Sequence, residues 1–165
     1  MTGKRLRLIY SGLCRENMPY LQQGIYMAVK IKPADTAFSK CVRERSNWTC
    51  EKCGKQYEEN SMGLHCSHVF SRRYRNIRWC GDNAQALCFS CHQWYGSNPA
   101  DSGKWVEGIL GQGVIDLLRE KRNLRIKVSK QDEKDITKHY REELKKLKQR
   151  RNEGERGRID FESWQ

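Results

Sequence analysis

The chain has 165 residues, enough for one domain or for one domain with an appendage. Its 32 lysines and arginines outnumber 20 aspartates and glutamates, and this excess favours a polyanionic partner, most simply nucleic acid. The longest apolar run, residues 25–29, is far shorter than the roughly 20 residues of a membrane-spanning helix, so no membrane association is expected. Residues 1–10 lack the apolar core of a secretory signal, which predicts a cytoplasmic protein with reduced or metal-bound cysteines.

The predicted elements begin with a basic leader at residues 1–34. Its apolar run, residues 24–33, predicts a strand that ends at Pro33. Asp35 is expected to cap a short helix from Thr36 to about Arg45, with Phe38 and its neighbours on one apolar face. Residues 35–99 form the predicted core, because they hold both closely spaced cysteine pairs and three of the four histidines.

A helical, basic region is predicted over residues 100–151. Two helices are expected at about 101–110 and 113–122, separated by a glycine-rich break. Ser129, with Asp132 three residues later, is typical of a capping box at the start of a helix of about 20 residues. Residues 152–165 lose this periodicity and predict a mobile tail. The expected fold class is α+β.

Two C-x2-C pairs are the strongest chemical signal in the chain. Cys50 and Cys53 form the first pair, Cys88 and Cys91 form the second, and 34 residues separate them. Each two-residue gap lets a tight turn present two thiolates to one ion, so the two pairs predict a closed tetrahedral site for structural zinc. The alternative is four ordinary buried cysteines. Packing roles are expected for the other four: Cys14, Cys41, Cys66 and Cys80.

The insert between the pairs contains groups suited to phosphodiester hydrolysis. Imidazole titrates near neutrality, so His68 can act as general base. The Asn83 amide can hold the chain near His68 and orient it. His92 directly follows the second cysteine pair, which would place it to ligate a catalytic divalent ion.

This order of residues resembles the HNH, or His-Me finger, nucleases, and most closely the NinG (Rap) family of phage recombination endonucleases. The likeness lies in residues 66–73, 78–79 and 82–92 and extends over residues 35–150. It implies a small zinc-stabilised ββα-metal core, with His68 on a strand, Asn83 in a loop, a second strand, and a helix starting near His92. It also implies a phage-encoded, metal-dependent endonuclease that cuts branched DNA, such as D-loops and Holliday-type junctions, in the bacterial cytoplasm with Mg2+ or Mn2+.

One position departs from the family pattern. Many HNH nucleases carry an acidic metal ligand directly before the general base, and here that position is Ser67. Either His65 or Asp82 can replace that ligand, or water can complete the shell of a weakly held Mg2+. The sequence leaves these alternatives open.

DNA is expected to lie along a group of residues that we call the arginine loop: Arg72, Arg73, Arg75 and Arg78. Guanidinium groups suit phosphate oxygens, and the adjacent Trp79 can stack on a base. Residues 119–151 add 14 lysines and arginines against 6 acidic residues, and this run either contacts phosphate or is a solvated helix face.

Two other functions compete with a branched-DNA endonuclease. One is a zinc-containing DNA-binding protein without catalysis, which would have no need of His68, Asn83 and His92 at this spacing. The other is an HNH nuclease that nicks ordinary duplex DNA, which no motif separates from the first. A homodimer and contacts with recombination proteins are further partners that the resemblance allows.

Overall fold

The computed structural model describes residues 29–124 and 126–164. Within them the fold is α+β, as expected, with five α-helices and one two-stranded antiparallel sheet. The elements in chain order are α1 (Pro33–Arg45), β1 (Leu64–His68), β2 (Ala84–Cys88), α2 (Phe89–Ser97), α3 (Pro99–Leu110), α4 (Gln112–Asn123) and α5 (Lys130–Asn152). A short 3-10 helix, Gly81–Asn83, precedes β2. No helix in these two ranges is both long and apolar enough to cross a membrane.

The first helix begins earlier than the sequence pattern indicates. Pro33 occupies its first turn, where the missing N–H of proline costs nothing. Asp35 lies inside the helix, and its carboxylate accepts a hydrogen bond from the Lys32 backbone N–H at 2.7 Å. Residues 29–32 have no regular structure, and residues 24–28 of the predicted strand, like most of the leader, lie outside the described residues. The predicted apolar face is confirmed, since Phe38 and Val42 are buried.

Helix α5 packs along α1 and completes the core. Its predicted start is confirmed: the Ser129 hydroxyl accepts a bond from the Asp132 N–H at 3.0 Å, and the Asp132 carboxylate accepts one from the Ser129 N–H at 2.7 Å. The buried Tyr140 ring meets the Phe38 ring edge-on at 5.1 Å between centroids. The predicted core and helix α5 therefore form one packed unit.

The sheet is too small to be stable alone, because an isolated pair of strands is marginal in water. Strand β1 pairs with β2 in a register that sets His65 opposite Leu87 and His68 opposite Ala84. Strand β2 is buried along its whole length, and both α1 and α2 contact the sheet. This cover holds the two histidine-bearing ends of β1 in place.

The C-terminal residues pack against the core, although their lack of periodicity predicts a mobile tail. The buried Ile159 donates its N–H to the Arg45 carbonyl oxygen at 3.0 Å. The Phe161 ring lies edge-on to the Tyr140 ring at 5.9 Å, and the Ser163 hydroxyl accepts a bond from the Gly81 N–H at 2.8 Å. We call residues 155–164 the C-terminal strap. An extended strap needs no repeating apolar pattern, because single side chains bury separately along it.

Candidate metal centre and active-site cleft

The first cysteine pair lies on a tight turn. The Cys50 N–H donates to the Lys55 carbonyl oxygen at 2.8 Å, and the Gly54 N–H donates to the Cys50 carbonyl oxygen at 2.9 Å. Gly54 adopts a φ of +73°, which favours glycine. The turn aims the thiols of Cys50 and Cys53 toward the same point.

The second pair joins the end of β2 to the start of α2. Cys88 is the last residue of the strand and caps the helix, because its sulfur accepts a bond from the Cys91 N–H at 3.5 Å. The Cys88 N–H in turn donates to the Cys50 sulfur at 3.3 Å. Burial opposes ionisation of Cys88, but hydrogen bonds from Cys91 and the other thiols lower its pKa to about 7.

The four sulfurs form a cluster that can hold a metal ion. All of them lie within 4.8 Å of one another, and the Cys53 and Cys88 sulfurs are 3.8 Å apart. A tetrahedron with Zn–S bonds of about 2.3 Å has an S–S edge of about 3.8 Å. The predicted grouping of these cysteines is confirmed, and its dimensions are compatible with structural zinc.

The other described cysteines are separate from this cluster. Cys41 is buried and Cys80 is half-buried, while Cys66 lies on the wall of the cleft described next. Burial raises the pKa of the Cys41 and Cys66 thiols to about 12, so both stay protonated. Cys14 lies outside the described residues.

A cleft of about 630 Å³ opens beside β1. Three of its wall residues are histidines: His65 and His68 from β1, and His92 from α2. The His65 and His92 rings are 5.2 Å apart between centroids. Burial, with contributions from His65 and Arg72, lowers the pKa of His92. Because the second cysteine pair anchors the start of α2, it also positions His92 opposite His65.

His68 has one ring nitrogen that is free to accept a proton. Its Nε2 lies 2.9 Å from the Arg78 carbonyl oxygen, which can only accept, so Nε2 carries the hydrogen. The Nδ1 atom therefore keeps its lone pair. Burial lowers the pKa of His68 to about 4, although the bond to Arg78 opposes the shift. The imidazole is thus neutral at neutral pH and can act as a base.

Asn83 is fully buried and closes the loop that follows β1. Its Oδ1 accepts a bond from the Phe70 N–H at 2.8 Å, and its Nδ2 donates to the carbonyl oxygens of Phe70 at 3.1 Å and Ile77 at 3.0 Å. Ile77 directly precedes Arg78, whose carbonyl holds the His68 ring. Asn83 therefore orients His68 through the loop backbone and makes no direct hydrogen bond to it.

Two residues predicted to bind DNA are instead buried around Asp35. The Arg78 Nε donates to Asp35 Oδ1 at 2.7 Å, and the Trp79 Nε1 donates to the same oxygen at 2.9 Å. Burial by itself would raise the pKa of Asp35, but the hydrogen bond from Arg78 and other bonds lower it overall. The prediction that Arg78 and Trp79 contact DNA is wrong, because both side chains are almost fully buried in the fold.

The rest of the arginine loop divides between the cleft and the surface. Arg72 is half-buried on the cleft wall, and Arg73 is exposed with its guanidinium 5.3 Å from the Tyr74 ring centroid. Arg75 forms an ion pair with Glu133 of α5. These three arginines remain on the surface, but only Arg72 and Arg73 lack a carboxylate within 4.0 Å among the described residues.

The two alternatives for an additional metal ligand lie in different places. His65 is in the cleft with His68 and His92, whereas the exposed Asp82 lines a separate cavity of about 660 Å³. Asp82 therefore does not join the three histidines.

The cleft also contains Arg43 of α1, which the sequence pattern did not indicate because its position in a helix gives no sign of a cleft. Its guanidinium donates to the Leu64 carbonyl oxygen at 3.4 Å.

No family model, no curated protein and no solved structure matches this chain. A functional assignment therefore depends on the metal centre and the cleft themselves.

Proposed function

We propose that the protein is a metal-dependent endonuclease that hydrolyses phosphodiester bonds in branched DNA recombination intermediates. One observation carries the proposal: a neutral histidine, His68, keeps a free ring nitrogen in a cleft that also contains two neighbouring histidines and a free arginine, Arg72. The resemblance to NinG-type HNH nucleases is the only support for branched DNA as the substrate.

Four side chains in or near the cleft have separate roles in this reaction. The Nδ1 atom of His68 accepts the proton of the attacking water. Arg72 neutralises the charge of the scissile phosphate, and Arg43 adds positive charge to the same cleft. Asn83 holds the Ile77 carbonyl, one residue before the Arg78 carbonyl that fixes the His68 ring, so it is a positioning residue.

The donor atoms in the cleft are suited to a divalent transition metal. His65 and His92 would hold the ion, and Asp35, the carboxylate on the cleft wall, is already bonded to Arg78. Imidazole ligands favour transition metals over Mg2+, so of the two expected ions Mn2+ is the better fit. A bound divalent ion supplies Lewis-acid stabilisation of the leaving oxygen.

The four-cysteine site has a different task. Four protein thiolates leave no open coordination position, so zinc there would hold the fold and perform no hydrolysis. Its contribution to catalysis is geometric, because it secures the start of α2 and with it His92.

A zinc-containing DNA-binding protein without catalysis is the second candidate. One observation favours it: among residues 29–124 and 126–164, the cleft offers no carboxylate that is free to ligate a metal. This candidate retains the zinc centre and the basic surface and dispenses with a proton-accepting role for His68.

The deciding experiment compares cleavage of a labelled four-way junction with cleavage of a linear duplex of matched sequence, in Mn2+, in Mg2+ and without divalent ions. Replacing His68 by alanine is expected to slow cleavage by about 10²–10⁴-fold, the usual contribution of a positioned base. His139→Ala is the matched control, because His139 also bonds a backbone carbonyl but lies on α5 outside the cleft. His92→Ala is expected to lose activity that high Mn2+ partly restores.

The possible results separate the candidates. DNA binding by the wild type without cleavage in either metal would favour the binding protein. Equal cleavage of junction and duplex would indicate a nuclease of ordinary duplex DNA. If His68→Ala cleaves DNA at the wild-type rate and keeps its zinc, the assignment of His68 as the base is wrong.

A further inference from the structure

A row of exposed cations runs along one face of α5. At 100° and 1.5 Å per residue, its members lie within an arc of about 80° and extend over about 22 Å. We call this row the α5 stripe: Lys130, Lys134, Lys138, Arg141 and Lys145.

The α5 stripe differs from the other cations of the same helix in having no carboxylate partners. Near the C-terminal end of α5, Lys146 pairs with Glu143 at 2.6 Å and Arg150 pairs with Glu155 at 2.7 Å. Lys148 and Arg151 also have carboxylate partners, Glu59 and Glu44. For the stripe, the described part of the chain places no carboxylate oxygen within 4.0 Å of any member. Like charges three or four residues apart repel each other in the free protein, and a polyanion would relieve that repulsion.

The stripe also lies beside the cleft. Four of its members line a groove of about 340 Å³ together with Pro33 and Ala34 in the first turn of α1. The next two residues of that turn, Asp35 and Thr36, line the cleft that contains His68. Only the start of α1 therefore separates the stripe from the candidate active site.

We propose that the α5 stripe holds the phosphate backbone of a duplex DNA arm next to the cleft, an inference that rests on the proposed function. Duplex DNA carries one phosphate charge per about 1.7 Å of its axis, counting both strands, so a row of about 22 Å faces a dense line of negative charge. A straight row of point charges on a rigid helix suits a rigid duplex. Contacts of this kind position DNA without reading its sequence. The stripe thus replaces Arg78 and Trp79 as the main binding surface outside the cleft.

The test compares two triple variants that lose the same charge. K134Q/K138Q/R141Q removes stripe cations, and K146Q/K148Q/R150Q removes two lysines and one arginine that already have partners. Fluorescence anisotropy of a labelled 20-base-pair duplex, without added divalent ions, gives the slope of log K against log salt. The stripe variant is expected to flatten this slope by about 2.7, at about 0.9 per lost phosphate contact, and the control by less than about 1. Zinc content and circular dichroism check that both variants fold.

An unchanged slope in the stripe variant, or equal flattening in both variants, would overturn the proposal. Cleavage by the wild-type protein separates this failure from failure of the endonuclease. If the wild type cuts DNA while the stripe variant keeps its slope, only the stripe is wrong. If the slope of the stripe variant flattens as expected but the wild type cuts no DNA in Mn2+ or Mg2+, the stripe is a DNA-binding surface and the nuclease assignment is wrong.

Discussion

His68 is expected to make the protein less stable as the pH falls from 7 to 5. Its pKa is about 4 in the folded protein against an ordinary value of 6.5, because burial disfavours the charged ring. Between these two values the unfolded chain binds more protons than the folded one, so acid favours unfolding. This loss of stability is nearly absent above the pKa of histidine in the unfolded chain and grows as the pH drops from about 6.5 toward 4.

The size of this effect follows from the pKa difference. A difference of about 2.5 units corresponds to about 3 kcal/mol when the penalty is complete, at about 1.4 kcal/mol per unit. At pH 5 about 2 kcal/mol of it is present, and at pH 7 less than about 0.2 kcal/mol. The difference between the wild type and a variant that lacks this imidazole, measured at these two pH values, therefore isolates its contribution.

Urea unfolding at pH 5, 6 and 7 measures this contribution when wild type is compared with His68→Gln. Glutamine does not titrate, yet its amide can still donate to the Arg78 carbonyl that the imidazole now bonds. Between pH 7 and pH 5, the free energy of unfolding of the variant is expected to fall by about 2 kcal/mol less than that of the wild type. Acid loss of metal affects both proteins alike, since both keep the four cysteines. The same pH dependence in the two proteins would refute the assignment of His68 as a buried, neutral base.

Three further predictions concern the architecture around the cleft. Cys88→Ser is expected to lose bound zinc and to unfold the centre of the chain, because structural zinc contributes on the order of 10 kcal/mol to the folding of small modules. Elemental analysis measures the zinc content, and the control Cys80→Ser, which lies outside the cluster, should keep one zinc per chain. Asp35→Ala should lower the free energy of unfolding in urea by about 3–5 kcal/mol, because it leaves the Arg78 guanidinium buried without a partner. Ile159→Ala should cost about 2–5 kcal/mol in the same assay if the C-terminal strap is packed, and no loss would mean that the strap is free.

The loop between β1 and β2 connects stability to the proposed chemistry. Asp35 fixes the side chain of Arg78, while the backbone carbonyl of the same residue holds the His68 ring. Asn83 holds the carbonyl of the preceding residue. Asp35 also lines the cleft, so a change there is expected to disturb His68 through the loop and to alter the cleft wall as well.

Features that depend on neighbouring residues could be predicted from the sequence. The Ser129–Asp132 capping box joins residues three positions apart, so its sequence pattern already contains both partners. The two C-x2-C pairs are local in the same sense, because each turn orients its own thiols. The break between α3 and α4 falls at Gly111, whose φ of +76° is the conformation that glycine favours.

Only the tertiary structure decided which polar groups are available to a ligand. Arg78 and Trp79 follow a run of basic residues in the sequence, yet Asp35, more than 40 positions away, buries both. The stripe on α5 became distinct only when the partners of the other α5 cations, including Glu59 and Glu44, were in place. The physical reason is the same in each case: a charge is free or neutralised according to neighbours in space, and those neighbours come from distant parts of the chain.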